Sequence, residues 1–383
     1  MEIYLHIPFC GSKCRYCDFA SWPGQEALMP AYVEAVCAEA RAMAGAWPDT
    51  QAETVFIGGG TPSILPPELL DRLLDGVLRR FPLAPGAEFT SEANPGTLTA
   101  AWLETALRHG VNRLSMGMQA LQPELLRTLG RRHTFADVEA SVRLARAAGI
   151  RNLSLDLMFG LPGQTEADWA ESLDAALSLE PEHLSCYGLI PEEGTPLKAE
   201  LDAGRLTLPE EETERAMYDT AIRRLADAGF AQYEISNFAR PGFACRHNIG
   251  YWRRVPYIGL GAAAASCLPG RGEGIENVRT TNPAGIRDYI AMAGAGDWSR
   301  RTVETVSPED ARFESMMLGL RMNEGVSEEA FRRKHGVSLA SVYGPRLRSL
   351  AARGLVEHAD GCWRLTRRGM DIQNSVLVEL MED

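Results

Sequence analysis

The chain has 383 residues, 45% of them apolar and 23% charged, and carries a net charge of −12 at pH 7. That length buries a large core and suits two domains, while the acidic balance argues against non-specific nucleic-acid binding by the whole surface. No apolar run approaches the roughly 20 residues of a membrane helix, no basic-then-apolar leader precedes the first strand, and eight cysteines in so long a chain make no disulfide framework and fit a reducing cytosol.

The first two-thirds alternates short apolar runs with amphipathic stretches. The pattern predicts strands over residues 2–7, 54–58, 88–92, 113–117, 152–159 and 183–189. It predicts helices over 25–44, 67–80, 100–108, 135–148, 166–179 and 210–228. Gly110, Gly149 and Gly229 each follow a helix, where a left-handed cap is expected. Strands alternating with helices imply a parallel sheet with right-handed crossovers. Six such units make an open sheet or a partial barrel, and composition does not choose between them. In either, residues that contact a ligand sit at the carboxyl ends of strands.

Further on, residues 233–236 read as another strand and 245–252 (CRHNIGYW) as a polar, aromatic loop. Residues 258–266 are small and apolar and suit packing against the sheet, and 282–303 read as a mixed connection. From Ser307 the texture changes. Helices are expected over 308–320, 328–334 and 339–352, a hairpin over 355–358 and 362–365 about Asp360–Gly361, and a last helix over 368–381. Three helices and a hairpin resemble a winged-helix module. Its arginines, Arg332, Arg333, Arg346, Arg348 and Arg353 among them, suit a DNA-binding face or a plain solvated one.

Three thiols stand out near the start: Cys10, Cys14 and Cys17, spaced C-x3-C-x2-C in a loop marked by Pro8, Gly11 and Ser12. Soft thiolates select zinc or iron–sulfur clusters. Zinc sites usually close with four ligands in paired groups, and no second C-x2-C pair follows. Three cysteines on a cubane leave one iron without a protein ligand, open to chemistry.

Polar residues recur at the strand ends. The second strand ends in GGGTPS (58–63), the third in SEANPGT with Glu92 and Asn94, and the fourth in RLSMGMQ with Ser115 and Gln119. The fifth holds Asp156 in an otherwise apolar run, where a carboxylate needs a partner. The sixth carries Tyr187 and Gly188. Each alone suits a structural role; together they suit a ligand mouth.

The run HIPFCGSKCRYCDF (6–19) resembles the signature of the radical S-adenosylmethionine enzymes, in the branch of the HemN coproporphyrinogen III dehydrogenases and the HemW haem chaperones. The resemblance covers nearly the whole chain. It implies a partial (β/α)6 barrel over residues 1–295 with a mostly helical, winged-helix-like C-terminal domain over 296–383. It implies a 4Fe–4S cluster on Cys10, Cys14 and Cys17, and S-adenosylmethionine held by Tyr4, Tyr16, Gly60, Thr61, Glu92, Gln119, Arg131, Asp156 and Gly188. The motif H-N-x-x-Y-W, linked to haem in the HemW branch, assigns a haem-binding role to His247, Tyr251 and Trp252.

Within that branch one position separates the decarboxylating enzymes from the chaperones. The former carry a further cysteine two residues after the third ligand, where this chain has Phe19, and an N-terminal extension, where this chain begins its strand at Glu2. The expectation is therefore a cytoplasmic haem chaperone and not a porphyrinogen oxidase. A radical enzyme that decarboxylates coproporphyrinogen III and a DNA-binding iron–sulfur regulator are the alternatives. Implied partners are haem, haem-accepting proteins such as respiratory enzymes, an electron donor for the cluster, a membrane surface and a second copy of the chain, with no nucleic acid.

Overall fold

The structure, a computed structural model, describes residues 1–381; residues 382 and 383 of the second expected domain lie outside it. All six expected strand–helix units are present. They run β1 (Glu2–Ile7), α1 (Met29–Ala46), β2 (Ala52–Gly59), α2 (Pro67–Leu78), β3 (Leu83–Ala93), α3 (Ala100–Arg108), β4 (Arg113–Gln119), α4 (Pro123–Thr128), α5 (Phe135–Ala148), β5 (Asn152–Phe159), α6 (Glu166–Ser178), β6 (His183–Gly188), α7 (Pro196–Asp202) and α8 (Glu211–Asp227). Helices α4 and α7 are additions. Each opens on a proline suited to a first turn, but each is too short to show a periodicity in the sequence. Thr134 with Asp137 and Thr165 with Asp168 form capping boxes that fix where α5 and α6 begin. Gly110, Gly149 and Gly229 all take positive φ after their helices.

The remaining elements are β7 (Ala231–Glu234), β8 (Asn237–Ala239), α9 (Arg246–Trp252), β9 (Tyr257–Leu260), β10 (Ala265–Pro269), β11 (Asn277–Thr281), α10 (Ile286–Ala295), β12 (Thr302–Val306), α11 (Pro308–Gly319), β13 (Val326–Ser327), α12 (Glu328–His335), α13 (Leu339–Ala352), β14 (Val356–Ala359), β15 (Cys362–Leu365), α14 (Arg367–Asp371) and α15 (Gln373–Leu380). One sheet has the order β12-β11-β10-β9-β1-β2-β3-β4-β5-β6-β8-β7. Strands β1 to β6 are parallel neighbours in sequence order, and the sheet curls without closing, a partial barrel.

Four expectations are corrected. Residues 258–266 do not pack on the sheet but enter it, β9 lying parallel to β1. The stretch 282–303 holds α10 and the start of β12, so the sheet continues past the boundary expected at 295/296 to Val306. The last helix breaks at Ile372, whose φ of −124° leaves the helical region. The expected loop 245–252 is mostly the helix α9, a feature set by its surroundings and not by any apolar stripe.

Strand alternation explains the barrel's character. Val55, Ile57, Leu114, Met116, Leu153, Leu155 and Leu157 point outward and are fully buried beneath the helices, each worth about 1.5–3 kcal/mol. The alternate positions point inward and are polar: Glu2, Thr54, Glu88, Arg113, Ser154 and His183 are all buried. The interior is therefore a hydrogen-bonded space, and α9 forms its floor. The Glu88 carboxylate accepts the backbone N–H groups of Arg246 (3.0 Å) and His247 (3.1 Å). Gly250 packs so closely on the Glu2 carboxylate that no Cβ fits between them.

The C-terminal domain packs Met316, Leu320, Phe331, Leu339, Tyr343, Leu347 and Leu350 around the small antiparallel sheet β13-β15-β14. It grips the floor helix and the turn after it. Arg253 pairs with Glu324 (2.6 Å) and Arg254 with Glu314 (2.9 Å), and Arg321 lies 4.6 Å over the Trp252 ring.

Candidate functional site

The three thiols follow β1 in a loop tied down on two sides. Cys10 N–H donates to Trp22 O (3.3 Å) and Trp22 N–H to Pro8 O (2.8 Å). Arg15 N–H donates to Leu129 O, and Arg15 O accepts from Leu197 N–H, both at 2.9 Å. The loop is thus held by the turn after α4 and by the start of α7. Cys10, Cys14 and Cys17 are free and half-buried, and all three line a cavity of about 330 Å³ at the carboxyl ends of the strands.

The glycine loop meets them from β2. Gly60 N–H donates to Ile7 O (2.7 Å) and Thr61 N–H to Phe9 O (2.8 Å), and a Cβ on Gly60 would stand 2.5 Å from Phe9 O. The glycine is required by this backbone contact. Thr61 Oγ1 lies 3.6 Å from Cys10 Sγ and accepts from Asn94 Nδ2 (2.9 Å). Arg131 donates to Asn94 Oδ1 (3.0 Å) and Gly117 O (2.9 Å), and its Nη1 lies 3.6 Å from Cys14 Sγ. A continuous polar chain therefore joins the cysteine loop to the ends of β2, β3 and β4.

Two carboxylates face this chain. Glu92 Oε2 accepts from Gly59 N–H (3.1 Å), and burial, then the charge of Asp156, pushes its carboxyl up to about 8. Asp156 accepts from Ser115 Oγ at 3.2 Å on both oxygens; burial raises its carboxyl too. Gln119 ends β4 at a bulge with φ +57°, a strained conformation for a residue other than glycine, and its buried Oε1 has no partner. The cavity thus offers a cationic side (Arg131, Lys13), a side of two carboxyls that a bound cation would ionise (Glu92, Asp156) and an unfilled amide. That suits a ligand carrying both a carboxylate and a positive charge, with hydroxyls for Asp156.

Of the residues expected to hold S-adenosylmethionine, Tyr16, Gly60, Thr61, Glu92, Gln119, Arg131 and Asp156 line this cavity. Tyr4 does not. It lies deeper in the barrel, with His6 between it and Gly59, and its hydroxyl sits 3.0 Å from His6 Nδ1. Gly188 does not either; it packs against Phe159 and Glu214 behind the mouth. Asn94 was legible at a strand end, but its bridging between Thr61 and Arg131 was not. Lys13, which donates to Phe19 O and to Ser21 Oγ (3.1 Å), and Met158 give no sequence signal of their own. Phe19 (61% exposed), Tyr187 (40%) and Ile190 (70%) are exposed large apolar side chains; the first two line the cavity.

The donor set fits a cluster. Among the described residues no three His, Cys, Asp or Glu side chains are grouped as ligands of one metal ion, whereas a cluster takes its thiolates on separate irons. Three thiols around one cavity, with open space beside them, leave room for a ligand on a fourth iron.

The residues for which a haem role is expected, His247, Tyr251 and Trp252, all lie on the floor helix α9. His247 is 1% exposed on the floor helix, and both ring nitrogens have partners: Thr54 Oγ1 at 2.7 Å and Tyr251 Oη at 3.1 Å. Its ring stacks on Phe56 at 5.3 Å, and burial, with Arg113 nearby, pushes its pKa down to about 3. In this arrangement the neutral imidazole pins the floor helix to β2. The motif closes the barrel; Tyr251 and Trp252 line a cavity of about 370 Å³, and Trp252 also reaches a larger one of about 530 Å³.

Residues 4–176 match the radical SAM superfamily and 306–372 the HemN C-terminal domain. The "Heme chaperone HemW" of Bacillus subtilis is 39% identical over 374 residues, 97% of each chain. That of Synechocystis is 40% identical, over 85% of this chain and 78% of its own. A Danio rerio protein, "Radical S-adenosyl methionine domain-containing protein 1, mitochondrial", is 34% identical over 86% of this chain and 74% of its own. Among solved structures, the coproporphyrinogen III oxidase HemN of Escherichia coli superposes with a TM-score of 0.83 at 21% identity, covering 99% of this chain and 89% of that one, a likeness of fold.

Proposed function

The chain belongs to the HemW family of the radical S-adenosylmethionine superfamily, and on that premise we propose that it is a haem chaperone: it binds haem and delivers it to acceptor proteins, without oxidising coproporphyrinogen III. The carrying observation is full-length similarity to proteins named haem chaperones, over both the barrel and the C-terminal domain. Phe19, an exposed ring on the cavity in place of a thiol, supports the exclusion of the oxidase chemistry.

In this reading Cys10, Cys14 and Cys17 hold a 4Fe–4S cluster. Glu92 and Arg131 would hold the charged amino-acid end of S-adenosylmethionine, and Asp156 its ribose hydroxyls. Bound together and reduced, cluster and S-adenosylmethionine supply the means to generate a 5′-deoxyadenosyl radical. The chain's own part is positional. Arg131 and Thr61 place donors beside two of the sulfurs, Asn94 locks both side chains, and Glu92 and Asp156 offset positive charge. Haem acceptors such as respiratory enzymes, an electron donor, a membrane surface and a second copy of the chain are the proposed partners, and the cytoplasm the proposed location. Among the described residues no helix is long and apolar enough to cross a membrane.

The test is anaerobic reconstitution followed by three measurements on one sample: iron and sulfide content, haem titration with transfer to an apo-haemoprotein, and turnover of coproporphyrinogen III. The expected result is about four irons and four sulfides per chain, a saturable Soret band that moves to the acceptor, and no turnover. Protoporphyrinogen formation at an enzymatic rate, or no haem binding, would overturn the proposal.

A further inference from the structure

The larger cavity is not at the mouth. A space of about 530 Å³ opens where the floor helix α9 meets the C-terminal domain, well within the size of small-molecule sites. The mouth, at about 330 Å³, already has two ligands to accommodate in the proposed reading. The lower cavity combines three kinds of group. Trp252, Phe331, Val326 and Met322 give it apolar and aromatic wall. Arg333 and Lys334 give it positive charge, and His335 and Cys362 bring an imidazole and a thiol.

The cations are available. Lys334 donates to the carbonyls of Arg253 and Arg254 (both 2.9 Å), and among the described residues no carboxylate lies within ion-pair distance of it. Lys334 is exposed as a whole, but enclosure of its ammonium and the neighbouring Arg254 push the group down to about 8, against the opposing charges of Glu276 and Glu314. Arg333 is exposed and, among the described residues, its one ion pair is with Glu329, at 3.9 Å. The metal-seeking groups are available as well. Cys362 is a free, half-buried thiol. His335, its side chain 2% exposed, is kept neutral by burial and by Lys334, its pKa pushed down to about 4; Nε2 meets Ser315 Oγ at 2.9 Å, the ring lies 4.6 Å from that of Phe331, and Nδ1 has a distant Glu276 at 3.9 Å. A flat aromatic ligand with carboxylates at one edge and a metal at its centre matches all three kinds of group.

We propose that this cavity is the haem port: the porphyrin lies along the Trp252–Phe331 wall, its carboxylates reach Arg333 and Lys334, and its iron faces His335 and Cys362. This deepens the chaperone reading and rests on it. It places the cargo on the far side of the barrel floor from the cluster.

The experiment is haem titration of the full-length, cluster-loaded protein and of four variants. Ala330→Trp fills the cavity from α12, and should abolish the saturable Soret change. Arg333→Glu, at an exposed position that folding does not need, should weaken haem binding on the order of tenfold, the loss of about one charge-assisted hydrogen bond. His335→Ala or Cys362→Ser should shift the Soret maximum. Unchanged melting temperature and cluster content establish that each variant is folded. Wild-type affinity in both Ala330→Trp and Arg333→Glu, or an unmoved Soret maximum in both His335→Ala and Cys362→Ser, overturns the port while the chaperone reading stands. Absence of haem binding in the wild type overturns the chaperone reading itself.

Discussion

Arg131 Nη1 lies 3.6 Å from Cys14 Sγ, reaching it from the segment after α4. The guanidinium also holds Asn94 and the Gly117 carbonyl, so one side chain registers the cysteine loop against two strand ends. Arg131→Ala leaves those acceptors without their donor, at about 1–3 kcal/mol each for buried groups. The expected outcome is a cluster that assembles but is lost faster, with weaker S-adenosylmethionine binding. Arg131→Lys restores charge but not the planar fork and should rescue little. Iron retention during anaerobic gel filtration checks it; retention equal to wild type in Arg131→Ala would remove the positioning role.

Asp156 is held by the Ser115 hydroxyl, whose one proton is shared between both carboxylate oxygens, and by Ser154 Oγ at 3.5 Å. Asp156→Ala should weaken S-adenosylmethionine binding by roughly 1–3 kcal/mol, the scale for an unpaired polar group. Calorimetry on cluster-loaded protein measures it, and unchanged affinity would exclude the ribose role.

Glu92 gives a pH dependence whose sign is fixed. Its carboxyl is pushed up to about 8, so at neutral pH the free protein holds it protonated. Its contribution to the stability of the free fold is present below the ordinary carboxylate value and is lost as pH rises through about 8. A ligand ammonium favours the ionised form, so binding releases a proton. Affinity should rise between about pH 6 and 7.5 in the wild type and stay flat in Glu92→Gln. Calorimetry in buffers of different ionisation enthalpy reads the proton count directly.

His247 gives the opposite sign. Its folded value is pushed down to about 3 while the unfolded chain titrates near 6.5. The neutral ring therefore contributes stability that is complete above about 6.5 and is lost as pH falls towards 3, by up to about 1.4 kcal/mol per pH unit. His247→Ala removes two hydrogen bonds and opens a cavity in the floor, costing about 2–4 kcal/mol. Urea unfolding at pH 7 and pH 5 measures both. An altered haem spectrum in His247→Ala, with stability unchanged, would return the imidazole to the iron.

The sequence carried the six parallel units because each has long helices and strands whose apolar faces repeat on schedule. It carried the cysteine loop because thiol spacing is local. It did not carry the geometry of His247, because a histidine beside a tyrosine and tryptophan reads alike whether the three face a ligand or plug a barrel. What decides is Thr54, 193 positions away, and Glu88, whose carboxylate turns a polar stretch into a helix. Nor did it place Tyr4 and Gly188: Tyr4 lies deeper along β1, and Gly188, at the end of β6, faces Phe159 and Glu214, and a pattern of types records neither depth nor facing. The lower cavity was invisible for the same reason, being assembled from α9, α11, α12 and β15.

The grip of the C-terminal domain on α9 and its following turn bears on modularity. Trp252, Arg253 and Arg254 each meet a residue beyond 306, namely Arg321, Glu324 and Glu314. A fragment ending at Val306 keeps every strand of the large sheet yet strips those three from the floor, leaving two arginines without counter-charges and an indole uncovered. Each region has its own hydrophobic core, yet the floor of the barrel is finished by the C-terminal domain, and the isolated barrel should be less stable and more protease-sensitive than the full chain.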